Sequence, residues 1–508
     1  MKNYEILLKA AGISMIGLVL SKLIAYLTTI LIAKTGSNVL GILNLGFSII
    51  SFIAMISLLG LSNGILRYVS YYIGKKDKQR IKGTILSALK ISSTIGISML
   101  ILTIIFSGYI SINIFNKPEL ISVIRVFAFI IPLIIFIEIF ASIFLSFKKI
   151  QYNTIIKDFG DKLFKLLLVF LFISLGFGLT GLACSYLFSS IITFSLLLYF
   201  LRKKEFGLFN NKIKPKSNTR ELLIYSLPLI LTSLLTLLQK WADTFVIGYY
   251  RSASEIGVYS IAFSTASLLA IIPTALMSLF IPVITSLYGQ NNIRDIRKMS
   301  NNIVKWIFMI NLPFAIILSI FSRELIKIVF GLEYANGYIS LIILSLAYLI
   351  LSMTHVYGSN LLMIKRTKLL SLFVLISTLT NILLNIILIP KYGINGAAIA
   401  TLSSNIIFLI LMIFSGKLVL NLQPIKKSFI KILFSGFLST ILIFYLYKNL
   451  ANNLFSLIIS ILLILILYCL FLILFKCFSK DDINLMKNFK SKLSNKFSDI
   501  NNKLFGNE

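Results

Sequence analysis

Long apolar segments alternate with short polar connections along almost the whole chain. A helix needs about 20 apolar residues to cross the hydrocarbon core of a bilayer, and the sequence contains fourteen segments of this kind. Their predicted limits are 12–33, 40–66, 83–107, 121–146, 155–175, 178–201, 222–250, 255–286, 301–321, 337–362, 368–389, 394–416, 429–447 and 453–475. The pattern predicts an all-α polytopic membrane protein with about 14 transmembrane helices. An even number of spans places both chain ends on one side.

The basic residues in the connections predict the orientation of these spans, because cytoplasmic loops carry an excess of Lys and Arg. Seven basic residues lie in the connections that follow odd-numbered spans and four lie within spans, which leaves 38 of the 49 for the chain ends and the other connections. The basic residues from Lys148 to Lys165 are assigned to the connection between spans 4 and 5. We therefore expect a multi-pass protein of the cell (cytoplasmic) membrane with both termini in the cytoplasm.

Composition then excludes several functional classes. The chain is 58% hydrophobic and 13% charged, with a formal net charge of +32. Such a charge is typical of nucleic-acid binding, but here it follows the membrane topology, and we expect no nucleic-acid partner. One histidine, His355, and three cysteines argue against a zinc site or a disulfide framework. Since no GxxxxGK[ST] motif for phosphate binding is present, we expect a transporter with no ATPase activity, no metal and no cofactor.

Two sequence matches at nearly the same offset indicate an internal duplication. Residues 40–48, at the start of span 2, match 256–264, at the start of span 8, and 178–183 match 393–398. Spans 1–6 and 7–12 would form two six-helix lobes related by a pseudo-twofold axis along the membrane normal, an arrangement in which transporters place the substrate path between the halves. The predicted divisions are a first lobe (1–201), a cytoplasmic linker (202–221), a second lobe (222–418), two extra helices (419–477) and a cytoplasmic tail (478–508).

The tail has the pattern of a basic amphipathic helix. Its apolar residues recur at helical spacing, with lysines largely between them; they are Phe489, Leu493, Phe497, Ile500 and Leu504. Such a helix would lie on the cytoplasmic leaflet, and a solvated tail is the alternative.

Apart from the charges that are counted with the connections, six ionisable side chains fall within the predicted spans, where a charge costs at least ~2.5–3.5 kcal/mol. They are Lys22, Lys90, Arg125, Lys240, Glu138 and Asp243. Their net charge is positive, which would attract the phosphate or pyrophosphate of a lipid head group. The four basic residues are therefore predicted substrate contacts in a cavity, and the two acids are candidates for ion or proton coupling.

These six residues are not equivalent. Lys22 is near the middle of span 1, where its stem does not easily reach either surface, so it is the leading cavity candidate. Arg125 and Lys90 lie closer to span ends and have snorkelling to head groups as an alternative. Lys240 and Asp243 are three residues apart on one helix, which permits a structural ion pair.

Prolines in the spans add a prediction about helix shape. Kinks are expected at Pro132, Pro228, Pro273 and Pro282, since proline removes a backbone donor.

Short motifs occur in the same order as in a known group of transporters. They are Ser-Leu-Pro at 226–228, Trp-Ala-Asp-Thr-Phe-Val-Ile-Gly at 241–248, Glu-Ile-Gly-Val-Tyr-Ser-Ile-Ala at 255–262, Phe-Gly-Leu-Glu-Tyr at 330–334 and Tyr-Gly-Ile-Asn-Gly-Ala-Ala at 392–398. Leu40-Gly41, Gly60-Leu61, Arg67-Tyr68 and Gly74-Lys75-Lys76-Asp77 agree in the first half. From about 10 to 418 the chain resembles polysaccharide (O-antigen-type) flippases of the multidrug/oligosaccharidyl-lipid/polysaccharide exporter superfamily.

The resemblance implies a V-shaped pair of lobes that moves a lipid-linked (polyprenyl phosphate or pyrophosphate) oligosaccharide to the external leaflet by alternating access, for cell-surface polysaccharide or glycan biosynthesis. Membrane lipids and glycan-assembly proteins are the implied partners. The alternatives are a cation-coupled multidrug exporter, which typically has an acid in span 1 where this chain has Lys22, and a lipid-linked peptidoglycan precursor flippase. A membrane scaffold and a polysaccharide polymerase are more distant alternatives, and a polymerase would need larger external loops.

Overall fold

Helices make up nearly all of the described chain. The computed structural model describes residues 2–203, 213–227, 229–420, 427–447, 454–478 and 482, and these residues include no strand. The helices of the first half are α1 (Lys2–Ala33), α2 (Ser37–Ser57), α3 (Leu61–Gly74), α4 (Lys78–Gly108), α5 (Leu120–Ala128), α6 (Ile130–Ser146), α7 (Ile150–Tyr152), α8 (Asp161–Ser174) and α9 (Gly178–Lys203). Those of the second half are α10 (Thr219–Ser226), α11 (Leu229–Tyr250), α12 (Ala253–Ser267), α13 (Ile271–Gly289), α14 (Ile293–Ile320), α15 (Ser322–Val329), α16 (Tyr338–Met363), α17 (Thr367–Tyr392) and α18 (Ile394–Leu420). Two further helices follow, α19 (Lys427–Tyr447) and α20 (Leu454–Leu474).

Each of the fourteen predicted spans contains helix, and the all-α membrane fold is confirmed. Among the described residues, nine helical segments are long and apolar enough to cross a membrane, or ten if α5 and α6 form one bent span. Shorter apolar helices lie at Gly17–Ala33 and Ser428–Ile443. The number of fourteen crossings therefore stays a prediction.

Prolines coincide with two of the breaks between helices. Proline lacks an N–H, and its ring clashes with the carbonyl four residues earlier. Pro132 comes four residues after Ala128, where α5 ends, and α5 and α6 meet at 42°. Pro273 comes four residues after Leu269, which lies in the 3₁₀ turn Leu268–Ala270 between α12 and α13. The kink expected at Pro132 is present, whereas at Pro273 the helix changes to a 3₁₀ turn within one continuous span, Ala253–Gly289. The α13 helix continues through Pro282, and Pro228 lies outside the described residues.

Buried apolar side chains form two large clusters. One joins α2, α3, α5, α6 and α9 to α12 and to the start of α16. The other joins α13, α14 and the later part of α16 to α18, α19 and α20. The first cluster therefore includes helices from both halves of the chain.

The α2 and α12 helices cross closely near their N-termini. A Cβ added to Gly41 would lie 1.8 Å from the carbonyl oxygen of Ala253, and a Cβ on Gly257 would lie 2.1 Å from that of Ser37. Gly41 and Gly257 are equivalent positions of the sequence repeat, and so are Ser37 and Ala253. The contact is therefore reciprocal, as a duplication predicts, and it requires glycine on both helices.

The last two helices are attached to α14 by polar contacts. Pro313 cannot donate to the carbonyl of Met309, and that oxygen instead accepts a hydrogen bond of 2.8 Å from Tyr468 Oη on α20. Further along, the buried carboxylate of Asp482 accepts hydrogen bonds from Lys305 Nζ and, at 2.9 Å, from Trp306 Nε1. These contacts dock the start of the predicted tail. Its amphipathic part, from Phe489 to Leu504, lies outside the described residues.

The Tyr468 contact gives a prediction about stability. We expect Tyr468→Phe to lower the free energy of unfolding by about 1–3 kcal/mol, because the Met309 carbonyl loses its partner in a buried place. Thermal unfolding of the purified protein in detergent measures the effect. Tyr199→Phe removes a hydroxyl from an exposed tyrosine and serves as the matched control. Equal midpoints for the two variants would contradict the proposed role of the hydroxyl.

Candidate functional site

A cavity of about 430 Å³ lies in the first half of the bundle and is lined by an unusual number of charges. We call it the first-half cavity. Its charged residues come from α1, α6, α8 and α11 and from the turn before α8; they are Lys22, Lys157, Lys162, Lys165, Lys240, Glu138, Asp158 and Asp161. Five lysines against three acids leave a net charge of +2 in the cavity.

A π-helical segment, Asn153–Gly160, brings several of these charges together. The wider turn of a π-helix displaces the ordinary hydrogen-bond pattern, and such turns are frequent at functional sites. Here the carbonyl oxygen of Asp158 accepts a hydrogen bond of 2.6 Å from Ser21 Oγ on α1. This contact joins the start of α8 to α1 next to Lys22.

Two of the five lysines are neutralised by nearby acids. Lys157 Nζ lies 2.8 Å from Glu138, and Lys162 Nζ lies 2.6 Å from Asp161. Within the described residues, the other three lysines, Lys22, Lys165 and Lys240, form no ion pair within 4 Å. The positive charge of the cavity is therefore carried by these three.

Aromatic rings hold two of the unpaired lysines. Lys165 Nζ lies 4.1 Å from the ring centre of Tyr186 and 5.0 Å from that of Phe47, and Lys240 Nζ lies 4.7 Å from that of Trp241. A ring face attracts a cation without neutralising it. These lysines are thus positioned while they keep their charge available for an anion.

A second cavity, of about 450 Å³, lies in the other half, between α11, α12, α16, α17 and α18. We call it the second-half cavity. Lys240 lines both cavities, whereas Asp243, one turn further along α11, lines only the second. His355 lies in its wall.

Asp243 accepts hydrogen bonds from three other helices of the second half. Its buried carboxylate receives them from Tyr259 Oη on α12, from Asn385 Nδ2 (2.7 Å) and Asn381 Nδ2 (3.2 Å) on α17, and from Thr401 Oγ1 (2.7 Å) on α18. All four donors are neutral. The ion pair with Lys240 that the spacing permitted is therefore not formed, and the carboxylate of Asp243 lies inside a network of neutral polar side chains.

The other predicted site residues are Arg125, Lys90 and Glu138, and only Glu138 lines one of the two cavities. Arg125 lines neither cavity, and its Nε donates to Ser107 Oγ at 3.3 Å. Lys90 lines a separate groove between α4 and the segment before α10. Glu138 faces the first-half cavity as the partner of Lys157. The structure thus brings Lys22, Lys240 and Glu138 together and leaves Lys90 and Arg125 apart from them.

Sequence reasoning missed the charges around the start of α8. Lys157, Lys162 and Lys165 were attributed to a cytoplasmic connection because of their sign. A signal was nevertheless present, since all three lie inside the predicted span 155–175 with Asp158 and Asp161 between them.

Polar contacts between the halves close the end of the bundle that the charge pattern predicts to be external. The Glu333 carboxylate accepts hydrogen bonds from the Ser37 hydroxyl and, at 2.9 Å, from the Ser37 backbone N–H. It thereby caps the N-terminus of α2, where an anion is favourable. Ser37 Oγ also lies 2.5 Å from Ser254 Oγ, so Ser37 contacts two residues of the second half, Glu333 and Ser254.

Lys117 makes the complementary contact at the same end. Its Nζ donates to the carbonyl oxygens of Gly248 (2.6 Å), Arg251 (2.9 Å) and Phe115 (2.9 Å). The first two lie at the C-terminal end of α11, where a cation is favourable. Burial lowers the pKa of Lys117, and the nearby Glu255 carboxylate opposes that shift.

Comparison with solved structures supports the assignment of the fold. The lipid II flippase MurJ, in its inward closed conformation, superimposes with a TM-score of 0.76 at 20% identity, over 91% of this chain and 98% of that one. A likeness at this identity shows the fold alone.

Sequence relatives include proteins of Haloferax volcanii and Methanocaldococcus jannaschii. A probable low-salt glycan biosynthesis flippase of Haloferax volcanii is 28% identical over 232 residues, which are 46% of this chain and 48% of that protein. The match thus spans about half the length of that relative. An uncharacterized membrane protein of Methanocaldococcus jannaschii is 23% identical over 454 residues, 85% of this chain and 87% of the other.

Family comparisons cover both halves of the chain. Residues 228–387 match the MatE family. Residues 7–288, more than half of the chain, match the family described as polysaccharide biosynthesis protein. The chain belongs to the polysaccharide biosynthesis protein family.

Proposed function

We propose that the chain is a flippase that moves a lipid-linked oligosaccharide across the cytoplasmic membrane, from the cytoplasmic to the external leaflet. The observation that carries this proposal is the first-half cavity, where three unpaired lysines face one space inside a membrane fold. A charge in a membrane interior is costly unless it has a partner or a function. An anionic head group supplies the missing partner.

The residues of the cavity suggest how such a head group binds. Lys22, Lys165 and Lys240 attract the phosphate or pyrophosphate, and Trp241 Nε1, which is buried and has no hydrogen-bond partner in the described part of the chain, adds a donor. Lys22 also lines a small cleft with Ile271 and Thr274 of α13. It therefore lies where the two halves meet, while the apolar lipid tail stays in the bilayer.

The predicted domains and orientation complete the proposal. The two lobes, 1–201 and 222–418, alternate between closure at the Ser37 end and closure at the cytoplasmic end, with both termini in the cytoplasm. The contacts of Glu333 and Lys117 support a state that is closed at the external end. The substrate then reaches the cavity from the cytoplasmic leaflet, where lipid-linked glycans are assembled.

Two other functions have support, and each differs from the proposed function in the substrate that is transported. The match of residues 228–387 to the MatE family favours a multidrug exporter, and the likeness to MurJ concerns a fold also used for lipid-linked peptidoglycan precursors. The positive cavity argues against cationic drugs, because like charges repel.

Purified protein in lipid vesicles tests the proposal. A lipid-linked oligosaccharide placed in both leaflets is treated with a lectin that cannot cross the membrane. The flippase is expected to expose the inner pool, with a rate above that of protein-free vesicles. Export of cationic dyes without movement of the glycolipid would overturn the proposal, and movement of a peptidoglycan precursor alone would favour the third function.

The same assay tests the lysines. We expect Lys22→Gln and Lys240→Gln each to lower the flipping rate at least about tenfold, because a hydrogen bond to a charged group contributes ~1.5–3 kcal/mol. Lys34→Gln, at an exposed position in the turn that directly follows the helix of Lys22, is the matched control and should keep the normal rate. Unchanged flipping in both cavity variants, with normal folding, would assign these lysines a structural role.

Asp243 is the proposed site for coupling to an ion or proton gradient. Its carboxylate is surrounded by neutral donors, and the buried Oδ1 of Asn385 beside it has no hydrogen-bond partner among the described residues. A proton or a small cation bound here would interact with a carboxylate oxygen of Asp243 and with Oδ1 of Asn385. Glu138 stays a second candidate, although its pairing with Lys157 already stabilises its charge.

A further inference from the structure

A groove of about 640 Å³ on the outside of the bundle is separate from both cavities. One wall is α4, and the other is the extended segment 215–219 that leads into α10. Ser87, Lys90, Ser217 and Thr219 give it a polar part, and Ile91 and Ile95 give it an apolar part. The groove thus has a polar part and an apolar part, as a lipid has a polar head group and an apolar chain.

The polar part is built on a fixed backbone. Lys216 N–H donates to the carbonyl oxygen of Gln79 at 3.1 Å, and a Cβ on Gly83 would lie 1.9 Å from the Lys216 carbonyl oxygen. Thr219 Oγ1 donates to Ser87 Oγ at 2.9 Å. The linker between the halves is therefore held tightly against α4 as far as Ser87.

Lys90 lies at the boundary between polar and apolar surroundings. It comes three residues after Ser87, about 4.5 Å further along the helix axis. Beyond it, the exposed side chains of α4 are mostly large and apolar, such as Ile97 and Ile101. The exposed hydroxyls of Thr94 and Ser98 donate to backbone carbonyls of the same helix. Lys90 itself is exposed and has no ion pair within 4 Å among the described residues, so its charge is unmatched where the polar part of the groove meets the apolar part.

We propose that this groove binds an anionic phospholipid of the leaflet that faces the linker. Lys90 Nζ and the hydroxyl of Ser87, which Thr219 Oγ1 holds in place, bind its phosphate, and an acyl chain lies along Ile91 and Ile95. Basic pockets between membrane helices on the cytoplasmic side bind acidic head groups in this way. The exposed Lys214 and Lys216 add positive charge near the mouth of the groove.

This binding would affect the connection between the halves. Segment 215–219 continues into α10, whose Ser226 packs on Gly60 and Gly64 of the first half. A lipid that bridges α4 and this segment strengthens the same connection from outside. The inference does not depend on the identity of the transported substrate.

Photoactivatable phosphatidylglycerol in phosphatidylcholine vesicles tests the site on the full-length protein. Labelling is expected in peptides that contain 86–95 and 215–219, with little labelling there by photoactivatable phosphatidylcholine. Lys90→Gln should lower this labelling about fivefold, the effect of one basic residue at a membrane surface, and Lys90→Arg should keep it. Lys368→Gln changes an exposed lysine near the start of α17 and should leave the labelling unchanged.

Several results would overturn the inference. They are equal labelling by the neutral lipid, equal labelling of the Gln and Arg variants at position 90, stronger labelling by a photoactivatable polyprenyl phosphate, and displacement of the lipid by inorganic phosphate. The last two would assign the groove to the transported lipid or to a free anion. The flipping assay is separate, so failure here leaves the proposed function intact.

Discussion

Asp243→Ala is expected to lower the free energy of unfolding by about 3 kcal/mol or more. The carboxylate accepts hydrogen bonds from Tyr259, Asn381, Asn385 and Thr401. Each buried donor left without an acceptor costs about 1–3 kcal/mol, and some of that cost is recovered when the donors bind one another or water. Thermal unfolding in detergent provides the measurement.

Asp243→Asn removes the ionisable group while it preserves the packing, so it tests the two effects separately. The amide has nearly the same shape and keeps one acceptor, so the protein should fold with a smaller loss of stability. It cannot take up a proton or offer a full negative charge to a cation. If Asp243 is the coupling site, flipping in vesicles with an imposed sodium or proton gradient should fall at least about tenfold, and the remaining rate should no longer depend on the gradient.

The controls distinguish coupling from general damage. Asp295→Asn changes an exposed acid near the start of α14 and should retain both stability and gradient dependence. A gradient response that persists in Asp243→Asn would limit this carboxylate to a structural role. The lysine variants of the first-half cavity would still test the flippase proposal independently.

The positions of the helices could be predicted because apolar length is a local property of the sequence. Each predicted span contains helix, and the bend before Pro132 and the 3₁₀ turn before Pro273 follow from a missing donor. The break of the second span at Leu59 and Gly60 could not be predicted. Both residues have positive φ, and Gly60 approaches the Ser226 carbonyl of the other half, so this break depends on a tertiary contact.

The charged site was predictable only in part. Lys22 and Lys240 were identified because a lysine deep in a span is unusual. Lys165 was assigned to the cytoplasm, since the rule that sets orientation cannot tell a loop lysine from one that faces an internal cavity. The network around Asp243 was missed because its Asn and Thr donors are common residues, and only the packing of α11 on α17 and α18 brings them together.

Gly41→Ala and Gly257→Ala are each expected to open the end of the bundle at which α2 and α12 cross. The added carbon would lie 1.8 or 2.1 Å from a backbone oxygen of the opposing helix. The two backbones must therefore separate, at a cost typical of overpacking, about 1–3 kcal/mol. This penalty falls only on the state that is closed at this end, so the equilibrium shifts toward the outward-open state.

A cysteine at Leu45, which is buried at the α2–α11 seam against Gly248, reports the change in a protein without the three native cysteines. A membrane-impermeant maleimide added outside should label it about tenfold faster in either glycine variant, as expected for a shift of ~1.4 kcal/mol. Flipping should also slow, because alternating access requires both closed states. Gly108→Ala, where a Cβ meets nothing within 4 Å, should behave like the parent. Unchanged labelling in folded Gly41→Ala and Gly257→Ala would mean that this crossing does not open during transport.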